Sequence, residues 1–275
     1  MAGWRRPGHL GVGGSLAGGP RGHGVGSSPG EYLPGPIAFG ANVHGRRVAF
    51  EPRVAASVPR SRASHERILD EALGDFFTEE AFLQVVEGTV EQDAVSHQGM
   101  SDEETVAHSM VGPGHDPAHG VLLRERKITR EMAQAQRLIL AGKAAQARNL
   151  LGRLTHTIQD KYPHAHTAAA DGRVPLPWNP LDLGAVRAHV ASDTGEVMGA
   201  PNVRAAVAET RVAYLKLEAA VLTIPPTSGG KPFTPDLASY DAFLKFRGII
   251  VHTKESRDPY LKWDQERWIT QTVTK

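Results

Sequence analysis

The chain has no cysteine. Disulfides, thiolate nucleophiles and cysteine-type zinc sites are therefore excluded, and the redox compartment is left open. A dominant charge is missing too. With 31 Lys and Arg against 30 Asp and Glu, the formal net charge is +1, so no general field draws the chain to nucleic acid or to an anionic membrane. Long apolar runs are absent: no stretch reaches the roughly eighteen residues that a membrane helix needs, and Met1 to Gly8 contains no apolar core of a secretory signal. The expectation is a soluble protein without a transmembrane segment which, if exported, uses a route not written as an N-terminal signal. The Gly-rich start also lacks a strand–GxGxxG–helix context, which removes the dinucleotide-binding reading.

What is present is distributed unevenly. At 275 residues the chain can bury one good core with material left for extensions. Of its 29 glycines, 14 precede residue 46, and a segment of that composition cannot bury enough apolar area to offset its chain entropy. Residues 1–60 are expected to form a disordered tail, with a short hairpin from 37–43 and 47–50 at its end. From Ser64 the pattern turns helical. Ser64 caps a helix with Ile68, Leu69, Ala72, Leu73 and Phe76, and Thr78 caps the next, with Phe82, Val85, Val86 and Val90 on one stripe. Ser101 to Glu104 reads as a capping box for a short helix reaching His108. A Gly/Pro loop should follow, then a helix from Thr129 to about Ala141, and a longer one from about Ala144 to Tyr162. Residues 167–200 read as an irregular loop, and Asn202 as the cap of another helix. The expected fold is mainly α, a helical bundle over 61–223 followed by a linker and a small appendage over 224–275. That last segment holds 7 of the 17 aromatic residues. Those aromatics either pack onto the bundle or meet a lipid interface.

The chemistry concentrates in Leu154-Thr-His-Thr-Ile-Gln-Asp-Lys-Tyr-Pro-His-Ala-His166. On a helix His156 and Asp160 leave the same face one turn apart and can grip one or two cations. Pro163 breaks the helix, and His164 or His166 returns towards the same pocket. His65 and Asp93 lie upstream with His108, for which His97 is an alternative; His189 and Asp193 repeat the H-x-x-x-D spacing downstream. Imidazole plus carboxylate without thiolate suits a hydrolytic zinc cluster better than a structural zinc. His115 and His119 fall in the Gly/Pro loop and are expected to be exposed, at most at a cleft edge. The basic series Arg124, Arg126, Lys127, Arg130, Arg137, Lys143, Arg148 and Arg153 reads as a solvated helix side or as an attractor for phosphate.

The run from Gly152 to His166 resembles the central metal helix of the zinc-dependent phospholipase C and single-strand-specific nuclease superfamily, in particular its bacterial toxin-like and heterokaryon-incompatibility branches. His156, Asp160 and His166 match the H-x3-D-x5-H core of that superfamily, and His189 and Asp193 match the later H-x3-[D/E]. His65, Asp93 and His108 resemble its earlier ligands in order and rough spacing. The resemblance covers about residues 64–222 and implies an all-helical bundle holding two or three zinc ions, with Asp93 and Asp160 as bridging or capping carboxylates, one of which also orients the attacking water. Secreted members complete one zinc site with a free N-terminal tryptophan. Here some sixty residues precede His65, so either cleavage exposes a new amine or a third metal is held differently or is absent.

The function so implied is zinc-dependent phosphoester hydrolysis, phospholipase C-like, on a phospholipid or other phosphodiester, in a toxin or secreted effector. Two alternatives stand beside it. One is a single-strand nuclease of the same fold, favoured by the aspartate at 193. The other is a non-catalytic, metal-stabilised binding module docked to a secretion apparatus or a larger toxin.

Overall fold

The computed structural model describes residues 64–93, 99–163, 166–168, 174–179, 181–195, 197–224 and 234–273, all within the unit that spans Val48–Lys275. The expected tail and hairpin lie outside the described residues. Among the described residues nine α-helices follow one another: α1 His65–Leu73, α2 Glu79–Gln92, α3 Asp102–Ala107, α4 Pro117–Leu140, α5 Ala144–Gln159, α6 Leu183–Gly195, α7 Pro201–Leu222, α8 Leu237–Phe246 and α9 Lys254–Val273. Among the described residues no strand forms, only isolated bridges, so the mainly-α expectation holds.

Helix α5 is the centre of the bundle. Its Leu151, Leu154 and Ile158 are fully buried beside Leu69 and Leu73 of α1, Phe82 and Val85 of α2, Ile139 of α4, and Tyr214 and Leu217 of α7. Each such side chain contributes about 1.5–3 kcal/mol by leaving water. The approach of α2 to α5 is closer than ordinary side chains permit. A Cβ on Gly88 would lie 2.1 Å from the Asn149 carbonyl oxygen, and one on Gly152 would lie 2.0 Å from that of Val85. The two glycines therefore let backbone meet backbone, and Thr89 uses the contact to donate its hydroxyl to the Gly152 carbonyl at 2.9 Å.

Three boundaries differ from expectation. Helix α4 begins at Pro117 rather than Thr129, because Asp116 caps it by accepting from the Ala118 N–H at 2.9 Å and Pro117 sits in the first turn, where its missing N–H costs nothing. Gly120 looked like part of a loop but is a packing residue: a Cβ there would fall 2.9 Å from the Val111 side chain. Second, 183–195 is helical although it follows a Pro-rich stretch. Asp182 starts it by accepting from the Gly184 and Ala185 N–H groups at 2.8 and 3.2 Å. Third, α7 starts at Pro201, with Asn202 buried inside it rather than capping it. The turn between α4 and α5 is made by Gly142 at φ 71°, a conformation that glycine adopts without a Cβ penalty.

The basic series does not lie wholly on a solvated side. Arg124 and Lys127 are buried on the inner face of α4, where Lys127 donates to Glu131 one turn on. The C-terminal aromatics join the bundle: Tyr240, Phe243 and Phe246 are fully buried in the same core as α5, and Tyr260, Trp263 and Trp268 pack against it. The packed reading of that segment holds, and the lipid-belt reading fails for the three buried rings. Beneath α9, Arg247 pairs with Asp264 at 2.9 Å, Tyr240 donates to Asp264 at 2.7 Å, and Arg267 pairs with Glu218.

Candidate metal centre

Six segments deliver their side chains to one buried spot near the end of α5. His156 occupies the last turn of α5, and Asp160 caps its C-terminus, with its backbone N–H on the His156 carbonyl at 3.0 Å. The i,i+4 relation read in the sequence is realised: His156 Nε2 lies 2.9 Å from Asp160 Oδ2. From the start of α1 comes His65, its Nε2 3.3 Å from Asp160 Oδ1. Asp93 caps the C-terminus of α2 and faces His65 at 3.8 Å and His156 at 3.5 Å. The Gly88–Gly152 contact is what brings these two helix ends so near.

His108 caps the C-terminus of α3. Its Nδ1 is 3.2 Å from Asp160 Oδ2 and 3.1 Å from His156 Nε2. The turn after it is unusual, since Ser109 adopts φ 53°, a left-handed conformation that costs a non-glycine residue about 1 kcal/mol. Two hydrogen bonds hold that turn against α5: the Ser109 hydroxyl donates to the Thr157 carbonyl, and the Thr157 hydroxyl donates to that of Ala107 at 2.9 Å. These two bonds offset the strain and fix His108 beside His156.

His166 arrives from the segment after Pro163. Its Nδ1 donates to the His108 carbonyl at 2.8 Å and lies 3.6 Å from Asp160 Oδ2. Two short backbone pairings hold this segment, Leu176 N–H to the His166 carbonyl at 2.7 Å and Trp178 N–H to that of Val111 at 2.8 Å. His189, on α6, completes the ring of imidazoles. Its ring centroid lies 4.4 Å from that of His166, 5.8 Å from that of His108 and 5.0 Å from that of Trp178. His65, Asp93, His108, His156, Asp160, His166 and His189 are all brought together. Asp193, on the same helix as His189, has a side chain outside the description, and the alternatives His97 and His164 lie outside the described residues.

Charge and burial suit a cation here. His156, Asp160 and His166 are fully buried. Burial pushes the His156 imidazole below its ordinary pKa, assisted by His65 and opposed by Asp160, which favours the neutral form that ligates metal. Burial alone would raise the Asp160 carboxyl. The imidazoles of His156, His166 and His65, with the hydrogen bond from His108, outweigh it and hold the carboxyl well below the usual range. Both groups are therefore in their ligating protonation states at neutral pH.

Within this centre three sets of side chains offer donor atoms that all lie within 4.8 Å of one another: His65–Asp93–His156, Asp93–His108–His189 and His108–His156–Asp160. In the last set the separations are 2.9, 3.1 and 3.2 Å. Donors bound to zinc at about 2.0–2.1 Å stand about 3.3 Å apart along a tetrahedral edge, so this set has close to the spacing of three ligands of one ion. Among the described residues the buried Nε2 of His108, Nδ1 of His156 and Nε2 of Gln159 have no hydrogen-bond partner; Oε2 of Glu218 and Nε and Nη1 of Arg267 share that state elsewhere in the bundle, so the donor spacing carries the argument.

Two contributors were not read from the sequence. Gln159 Oε1 accepts from the His65 Nδ1–H at 2.8 Å and so leaves the other ring nitrogen, Nε2, turned towards the carboxylates. Its position next to Asp160 was the available signal. Trp178 backs His189, and only its place between prolines set it apart. No family model matches the chain, and neither a curated protein nor a solved structure matches it, so the candidate centre rests on its own geometry.

Proposed function

We propose that the protein is a zinc-dependent phosphodiesterase of the phospholipase C type. The observation that carries the reading is Asp160: one carboxylate oxygen faces His65 while the other faces His108, His156 and His166. A fully buried carboxylate with imidazoles on both oxygens is suited to bridging two cations. Zinc, when bound, would supply Lewis acidity towards a phosphoryl oxygen and bring the pKa of a water near neutrality.

The chain's own residues would do the rest. His65, oriented by Gln159, and Asp93 form the side of the centre nearer solvent, since the Asp93 side chain is 37% exposed where that of Asp160 is 1%. Asp93 is therefore the carboxylate placed to accept a proton from an incoming water and orient it, and Asp160 the one that organises the ligands. Two exposed leucines, Leu181 at 80% and Leu183 at 70%, lead into the helix that carries His189. They favour an amphiphilic phosphodiester, a choline- or ethanolamine-type phospholipid, over a nucleic acid. The central segment's resemblance to the phospholipase branch points the same way.

The test is a side-by-side assay on mixed phospholipid vesicles and single-stranded DNA with zinc added, using the wild type, His156→Ala and Asp160→Asn. Release of the phosphorylated headgroup by the wild type is expected, with a loss of about 100-fold or more in both variants, since even outer-shell partners of a metal contribute 10–100-fold. Cleavage of DNA alone would move the reading to the nuclease branch. Cleavage of neither would favour the binding module.

A further inference from the structure

A second histidine cluster lies on the surface. His115 Nδ1 is 3.0 Å from Asp102 Oδ1, and His119 Nε2 is 3.8 Å from Asp102 Oδ2. The two rings meet edge to face with centroids 5.7 Å apart. One donor atom from each of the three residues lies within 4.8 Å of the other two. Their side chains are 47%, 47% and 45% exposed. We propose that Asp102, His115 and His119 form a second, solvent-facing site for a zinc-class divalent cation, sharing no ligand with the buried centre.

Local structure builds the cluster from two helix starts. Asp102 is the first residue of α3, held in place by the Ser101–Glu104 capping box. His115 immediately precedes the Asp116 cap of α4, and His119 lies in the first turn of that helix. The turn between them closes through the His115 N–H to the Gly112 carbonyl at 3.2 Å, with Gly114 at φ 80°. Gly112 forms the floor of the site. A Cβ there would sit 3.3 Å from His115 Nδ1 and 3.5 Å from Asp102 Oδ1, so the absence of a side chain leaves both donors uncrowded.

Two imidazoles using different ring nitrogens, each facing its own oxygen of one carboxylate, are more than an ion pair requires. A single histidine would satisfy Asp102. Two imidazoles and a carboxylate are the donor set preferred by zinc and its neighbours rather than by magnesium or calcium, and three protein donors with an open face leave room for water. The site is separated from the buried centre by the length of α3, about 9 Å at 1.5 Å per residue. A cation there would tie the start of α3 to the start of α4 and so brace the segment that carries His108.

Because the cluster is exposed, acylation can read it in the intact protein. Diethyl pyrocarbonate labelling of the full-length wild type, mapped by mass spectrometry, should slow several-fold at both His115 and His119 when zinc is present. In equilibrium dialysis, the His115→Ala/His119→Ala variant should bind one zinc fewer than the wild type while keeping the remainder. Labelling rates at these two positions that are the same with and without zinc would overturn the proposal, as would a double variant with the full zinc complement. The labelling needs no variant to fold. It also does not depend on whether the buried centre is catalytic.

Discussion

Beneath α9, Arg247 and Arg267 meet Asp264 and Glu218 in a buried cluster, whereas at the end of α5 the charged partners of the Asp160 carboxylate among the described residues are all histidines. Both clusters are deep in the same bundle, and both are dense with polar atoms. The first balances its charge with permanent cations. Arg247 donates to the Phe76 carbonyl at 2.7 Å and its guanidinium lies 5.2 Å from the Trp263 ring, while Arg267 lies over Phe76, Trp263 and Trp268. Such a network holds α8 and α9 to the core through arginine–carboxylate pairs. The second replaces guanidinium by imidazole, a group that can be neutral and can ligate. The difference separates a cluster that staples the fold from one whose donor groups could hold a cation.

The largest expected effect breaks the stapling cluster. Asp264→Ala leaves Arg247 buried without its carboxylate and should cost about 3–5 kcal/mol of stability. Chemical denaturation measures this, and zinc content per folded chain should stay unchanged. Loss of metal at an undiminished stability would reverse the roles assigned to the two clusters. Next comes removal of metal. Chelation should lower the thermal midpoint of the wild type, because a ligand bound only by the folded chain stabilises it by about 2.7 kcal/mol at a hundredfold excess over Kd. Melting curves that superimpose with and without chelator would leave the two clusters indistinguishable.

Gly152→Ala should sharpen the comparison by acting on both stability and site. Its Cβ would meet the Val85 carbonyl at 2.0 Å and the Thr89 nitrogen at 2.7 Å. Neither is a flexible side-chain end, so α2 must move, at a cost of about 1–3 kcal/mol. The same shift draws Asp93 from His156, and zinc affinity should fall with stability. Unchanged zinc affinity in a destabilised variant would show that the close helix contact does not set the site.

The smallest effect is at the start of α8. Asp236 accepts from the Ser239 N–H at 2.9 Å and hydroxyl at 3.0 Å, which holds its carboxyl below the ordinary 3.8. A depressed folded-state pKa gives stability that is complete above the unfolded value and is lost as pH falls through the folded one. The gap in thermal midpoint between wild type and Asp236→Ala should therefore be full at neutral pH and shrink in acid below 3.8. A gap independent of pH would mean that the carboxylate charge plays no part in the cap.

Much of the site was legible because its spacing is local. His156 and Asp160 declare themselves by one turn of helix, and the capping box at Ser101 locates the helix end that presents His108. The start of α4 was not legible, since Gly120 reads as a breaker in sequence and only the nearby Val111 shows why a glycine is needed. Helix α6 was hidden by the preceding prolines and by the absence of a clear apolar stripe. The Gly88–Gly152 contact and the support of His65 by Gln159 depend on residues 64 and 94 positions apart. No local pattern encodes such a pairing.

The central claim is that Asp160 organises a centre for more than one cation. Zinc stoichiometry by equilibrium dialysis and elemental analysis tests it most directly, in the His115→Ala/His119→Ala background so that the surface cluster does not contribute. At least two zinc ions per chain are expected, and at least one should be lost when Asp160→Asn is added to a protein that remains folded. A single zinc per chain, or a zinc content unaffected by Asp160→Asn, would contradict the account.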